Sequence, residues 1–219
     1  MKTKLSFTLA EVLITLVVIG IIAAITVPVI MANHKKTETA ARLKKFYSTM
    51  NNAIKLAEVE EGIPLKEWEG SGDLTFDQED VQTRYLVKHI NYVDKKYEMN
   101  DFAGGEVPTF YLSDGTKFQF FYYAYYEGKI YFDTNGDKGP NKSGRDIFVF
   151  NIPPVSTNII GVPNWQEDNP FVPCSASICN DYNSREEVIE ACKQYKEEEC
   201  TYLIQLDGWE IKADYPLKL

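Results

Sequence analysis

The sequence predicts an α+β fold, a long N-terminal helix followed by a head built on an antiparallel sheet, and three observations predict it. Residues 12–30 carry no charge and are dominated by Val, Ile, Leu and Ala, and roughly 20 such residues are what a helix needs to cross a bilayer. Beyond them Leu43, Phe46, Tyr47, Met50, Ile54 and Ala57 recur at helical spacing, one apolar stripe between residues 37 and 60 that asks for cover. From about Gly62 the pattern changes to strand-length apolar runs punctuated by Asp-Gly pairs.

Composition narrows the function. A chain of 219 residues suits one domain plus an anchor and can bury a sizeable core. Its formal charge is −9, yet residues 33–58 are net positive, with Lys35, Lys36, Arg42, Lys44, Lys45 and Lys55 against Glu38 and Glu58. The acidity therefore lies in the remainder, which argues against nucleic acid as a partner of the head. Cys174, Cys179, Cys192 and Cys200 all fall in the last quarter. An even, clustered set behind a membrane-targeting segment points to disulfides in an oxidising compartment, with three pairings open. Their spacings fit no familiar zinc pattern.

Glu11 sets the apolar stretch apart. A carboxylate near lipid costs roughly 2.5–3.5 kcal/mol on insertion scales and so asks for a partner. The nearest conceivable cation is an α-amine made by cutting the chain before Phe7. A cleavable secretory signal is one reading, with Lys2 and Lys4 as its basic start and Ile30, Met31 and Ala32 as its cleavage site. That reading leaves the apolar run too long and the acid misplaced. A plain anchor explains the length and leaves Glu11 unexplained.

The third reading rests on a match of residues. Lys2, Lys4 and Ser6, followed by Phe7, Thr8, Leu9, Ala10, Glu11 and an aliphatic run, resemble the cleavage and methylation segment of type IV pilins and type II secretion pseudopilins. The resemblance implies removal of residues 1–6 by a prepilin peptidase and N-methyltransferase, with Phe7 as the new, methylated N-terminus. Ser6 stands where the family usually has Gly. Glu11 matches the family's acidic position and Pro28 its helix-bending proline; Pro28 lacks an N–H and clashes with the preceding turn. The implied fold is pilin-like: residues 7–32 a transmembrane and filament-core helix, 33–61 an amphipathic stem, and 62–219 an α+β head. The implied partners are other pilin or pseudopilin subunits and the membrane. The implied location is the bacterial cytoplasmic membrane, crossed once with the head outside, and then a periplasmic or cell-surface filament. In that setting the Phe7 amine of the same or a neighbouring subunit would neutralise Glu11 and favour the stacked register.

Along the head, Asp77 caps an expected helix with Val81, Tyr85, Leu86, Ile90 and Val93 facing inward. Residues 109–113 and 116–122 read as a hairpin about Asp114 and Gly115, and the aromatic run 118–126 as a strand buried on both faces. Residues 129–132 and 146–150 read as two more strands. Ser184 and Glu187 open a helix reaching about Lys196 as a capping box. Residues 202–206 and 209–212 read as a last strand pair about Asp207 and Gly208. The Pro-rich loop 153–182 needs the tether that the cysteines can supply.

One loop has the composition of a metal site. Asp133, Asn135, Asp137 and Asn141 place oxygen ligands at near-alternate positions, as calcium loops do, although Lys138 and Gly144 stand where an EF-hand has Gly and Glu. Calcium sites occur in pseudopilin heads, so the resemblance adds weight; a tight turn of Asx type is the competing reading. Pro140 and Asn141 spoil a near match to a phosphate loop. Catalysis is not expected, because only His34 and His89 are available and no nucleophile or zinc motif occurs. The sequence thus predicts a filament subunit, with a secreted or membrane-anchored calcium-dependent binding domain as the alternative.

Overall fold

The structure is a computed structural model that describes residues 8–65, 68, 85–100, 104–123, 127–152, 170–174 and 182–219. One helix, α1 (Leu9–Glu61), runs 53 residues, about 80 Å at 1.5 Å per residue. It passes through Pro28 without a break and ends where Gly62 turns left-handed at φ 69°, its N–H donating to the Glu58 carbonyl at 3.0 Å. A five-stranded antiparallel meander follows in the order β1 (Tyr92–Asn100), β2 (Gly105–Leu112), β3 (Lys117–Tyr123), β4 (Glu127–Asp133) and β5 (Ile147–Ile152). Helices α2 (Arg185–Tyr195) and α3 (Glu198–Leu206) close the head.

The two halves of α1 have different fates. Thr8 to His34 are all exposed, whereas Ala40, Leu43, Phe46, Met50, Ala53, Ile54 and Ala57 are buried against the sheet. The expected stem stripe is therefore the face that meets the head. The sheet answers it with a row of rings: the register pairs Phe110 with Phe118, Phe118 with Phe132 and Phe132 with Phe148. Phe46 stacks on Phe132 with centroids 4.0 Å apart and lies 5.4–5.8 Å from Phe118, Phe150 and Phe171. Offset and edge contacts of this kind add to the large apolar area that each ring removes from water.

Several expectations need correction. In β3 Phe118 and Phe120 are buried but Lys117 and Gln119 are only half-buried, so over these residues the strand buries one face, not two. β1 was not expected; its Asp94, Lys95 and Lys96 and its exposed Val93, Tyr97 and Met99 are what an edge strand tolerates. Val93 accordingly belongs to that edge and not to a helix face. Asp77 and Val81 lie outside the described residues, while Tyr85, Leu86 and Ile90 are buried around a short 3-10 turn (Val87–His89).

The expected strand pair at 202–212 is the helix α3 with an irregular tail. Cys200, Leu203 and Ile204 are buried, a helical spacing that a short run of Thr, Tyr, Leu and Ile also disguises as a strand. Asp207 and Gly208 end this helix, with Asp207 N–H on the Leu203 carbonyl at 3.0 Å and Gly208 at φ 77°. At the start of α2 the Ser184 hydroxyl accepts the Glu187 N–H at 3.3 Å, but Glu187 reaches back to the N–H of Asn183, one residue earlier than a capping box requires. Cys192 and Cys200 form a disulfide joining α2 to α3. Cys174 is also disulfide-bonded, and Cys179 lies outside the described residues.

Replacing Phe46 by Ala removes the ring at the centre of this cluster. The expected loss is about 3–5 kcal/mol of stability, read as a lower denaturation midpoint for the detergent-solubilised chain followed by near-UV circular dichroism.

Candidate functional site

At the N-terminus of α1 the local chemistry is a capping box. The Thr8 hydroxyl accepts the Glu11 N–H at 3.3 Å, and Glu11 Oε2 accepts both the Thr8 N–H and the Thr8 hydroxyl at 2.8 Å. Glu11 is thus hydrogen-bonded within its own first turn and faces the positive end of the helix. The Thr-x-x-Glu spacing at Thr8 and Glu11 is itself a cap signature in the sequence. Ser6 and Phe7 lie outside the described residues. From Val12 to Ala32 the helix is apolar on every side, and it is long and apolar enough to cross a membrane. Leu9, Ile14, Val17, Ile19, Ile25 and Ile30 are each at least 60% exposed. An aliphatic surface of that extent in contact with water is far larger than the patches monomeric proteins carry.

The basic residues of the stem divide into two groups. Arg42 donates to the Thr134 carbonyl and pairs with Glu38 at 2.7 Å. Lys45 pairs with Asp114 at 2.7 Å, and Lys36 donates to the Lys212 carbonyl at 3.1 Å. These three fasten the head to the stem. Lys35, Lys44 and Lys55 make no such contact among the described residues. His89 is half-buried, with Nε2 3.1 Å from Glu60.

The loop between β4 and β5 is organised by two buried acids. Asp133 Oδ1 accepts the N–H groups of Asn135 and Gly136, each at 3.0 Å. Asp146 accepts the N–H groups of Asn141 at 2.9 Å and Lys142 at 2.6 Å, and the Asn135 amide at 3.1 Å. Asp146 was not among the expected site residues, although it carries most of the loop's hydrogen bonds; its position at a strand start hid it. Gly136 and Gly144 both have positive φ. A Cβ at Gly136 would stand 2.5 Å from the Gly115 carbonyl oxygen, and one at Gly144 2.8 Å from Cys200 Sγ, so neither position tolerates a side chain.

Asp137 turns away from that centre to Lys117 at 2.8 Å and the Tyr111 hydroxyl at 3.1 Å. Lys117 also holds Glu98 at 2.9 Å, and Tyr111 donates to Glu98 as well. Burial works to lower the Lys117 pKa, but the Asp137 and Glu98 carboxylates outweigh it and hold the ammonium above its usual value. Beside this cluster the outer face of the sheet encloses a cavity of about 200 Å³ lined by Glu98, Asn100, Lys117, Gln119, Tyr131 and Asp133 among others. Of the four expected calcium ligands, Asp133 and Asp137 spend their carboxylates on different partners, Asn135 donates its amide N–H to Asp146 while its Oδ1 is buried without a hydrogen bond, and Asn141 is engaged through its backbone N–H. A cation would compete with the Lys117 ammonium for Asp137, and the loop supports itself as a hydrogen-bonded turn. Among the described residues no three His, Cys, Asp or Glu side chains are grouped to hold a metal ion.

Against this geometry, the sequence profile of a family described as a family of unknown function, DUF6613, matches residues 29–219. The chain belongs to that family. The match begins near Pro28 and takes in the stem and the head, leaving out most of the exposed apolar half of α1. No curated protein and no solved structure matches the chain.

Burial and the neighbouring Asp146 carboxylate push the Asp133 pKa up to about 6 from 3.8, against the two backbone N–H groups it accepts. Asp133 therefore binds its proton more tightly in the folded chain. Its contribution to stability is greatest below 3.8 and is lost as the pH rises through about 6. Asp133→Asn keeps an acceptor for both N–H groups and removes the titration. Thermal melts across that range are expected to show the natural chain losing stability relative to the variant as the pH rises.

Proposed function

We propose that this chain is a pilin-like subunit that is processed before Phe7, held in the bacterial cytoplasmic membrane by the first half of α1, and assembled through that helix into a filament. The observation that carries the reading is the union of two features in one helix. Its exposed aliphatic half carries Glu11 in its first turn, and its other half is the spine on which the head is built. A helix that is apolar all round demands lipid or other helices as its surroundings. A filament core supplies the second after the membrane has supplied the first.

Glu11 has the central role. Its bonds to Thr8 engage one oxygen, Oε2, and leave the negative charge, and a charge in an apolar surround is stabilised by an opposite charge. Cleavage before Phe7 keeps the Thr8 amide and adds an α-amine next to it. In a packed array that amine, from the same or a neighbouring subunit, neutralises Glu11 and selects the register. The partners of the reading are the peptidase and N-methyltransferase, sister subunits and the bilayer; the head stands outside the cytoplasm, where the Cys192–Cys200 disulfide is stable.

N-terminal sequencing of the mature chain is the direct test. Methyl-Phe7 is expected; a start at Asn33 would mark an ordinary secretory signal, and Met1 or Lys2 a plain anchor. Glu11→Val is expected to insert in membranes as the natural chain does and to be lost from filaments, read by fractionation and shear release. Normal incorporation of that variant would remove Glu11 from the mechanism.

A further inference from the structure

We infer that the membrane-facing end of the head is a basic collar that binds anionic phospholipid headgroups while the first half of α1 lies in the bilayer. The head is fastened along α1 from Lys36 and Arg42 at one end to Glu60 and Glu61 at the other, where Lys88 pairs with both. Among the described residues, the tail at Lys212 and the β4–β5 loop at Thr134 are thus the parts fastened nearest the apolar half. The two parts are also joined to each other, since the Tyr215 hydroxyl donates to the Gly144 carbonyl at 2.6 Å.

This end carries Lys35, Lys138, Lys142, Arg145 and Lys218, none of which is ion-paired among the described residues; Lys138, Lys142 and Lys218 are exposed. The acids around them are already engaged. Glu38 is held by Arg42, Asp137 by Lys117 and Asp214 by Arg185 at 2.7–2.8 Å, while Asp133 and Asp146 are buried in the loop's own hydrogen bonds. Glu210 is exposed, has no ion pair among the described residues, and offsets one charge. Among the described residues, a chain of net charge −9 therefore presents a local excess of cations at this end.

Position decides what that excess meets. Lys35 lies about 8 Å and Arg42 about 18 Å beyond Ile30 along the helix axis, at 1.5 Å per residue. A headgroup layer of roughly 5–8 Å fills part of that interval. The tail, held at the level of Lys36, then stands at the headgroups, and the loop, held at the level of Arg42, about 10–13 Å from them, near one Debye length of roughly 8–10 Å. Basic groups at that range attract anionic lipid strongly enough for several to act together. The inference rests on the membrane reading of α1 and is independent of filament assembly.

The test uses the full chain reconstituted in vesicles of phosphatidylcholine with about 30% phosphatidylglycerol, with spin-labelled tracers of each lipid. The fraction of motionally restricted tracer reports which lipid the protein holds, and flotation of the vesicles reports insertion separately. Phosphatidylglycerol is expected to be preferred by about fivefold. That preference should fall to near unity in the combined variant Lys138→Gln, Lys142→Gln, Arg145→Gln and Lys218→Gln, and in the natural chain at high salt. Lys55→Gln with Lys193→Gln, away from the collar, should keep it. Flotation with equal restriction of both tracers overturns the collar alone, as does a collar variant with undiminished preference. A chain that does not float overturns the membrane reading and the collar with it.

Discussion

One helix has to satisfy two solvents. From Thr8 to His34 α1 is exposed on every side, and from Ala40 to Ala57 it presents one buried stripe to a sheet. The contact that makes the second half possible is Phe46 stacked on Phe132 within a row of phenylalanines that crosses four strands in register. Without that ring-on-ring packing the stem would have no reason to stay against the head. The head would then lose the element that covers the inner face of its sheet.

The polar contacts of the stem follow from that seating. Arg42 and Lys45 reach the ends of the sheet loops, and Lys36 reaches the tail. Single surface pairs contribute little to stability. Their effect here is to set the angle and height of the head on its spine. The Arg185 fork onto Asp207 and Asp214, with bonds of 2.6–2.9 Å, does the same work within the head, tying α2 to the tail. The disulfide and the close approach of Gly144 to Cys200 then press the β4–β5 loop against α3.

The loop illustrates how composition and geometry part company. Oxygen side chains at 133, 135, 137 and 141 read as ligands when counted along the chain. In the fold Asp133 caps its own turn, Asn135 serves Asp146, and Asp137 belongs to the Lys117 cluster across the sheet. Sequence spacing tells which atoms are near along the backbone. It does not tell which donors from β2 and β3 arrive to claim them.

The apolar run, the Glu11 anomaly, the stem stripe, the Asp-Gly hairpin and four of the five strands were legible in the sequence, because each depends on periodicity or on a local turn. Strand β1 was not, since an edge strand needs no apolar alternation; nor was α3, since nine residues rich in Thr, Tyr, Leu and Ile suit either period. The tertiary structure alone decided that Cys192 pairs with Cys200, that Asp146 organises the loop, and which stem cations hold the head while others face outward. These depend on groups far apart in the chain meeting after the sheet closes on the helix, and no local pattern encodes such a meeting.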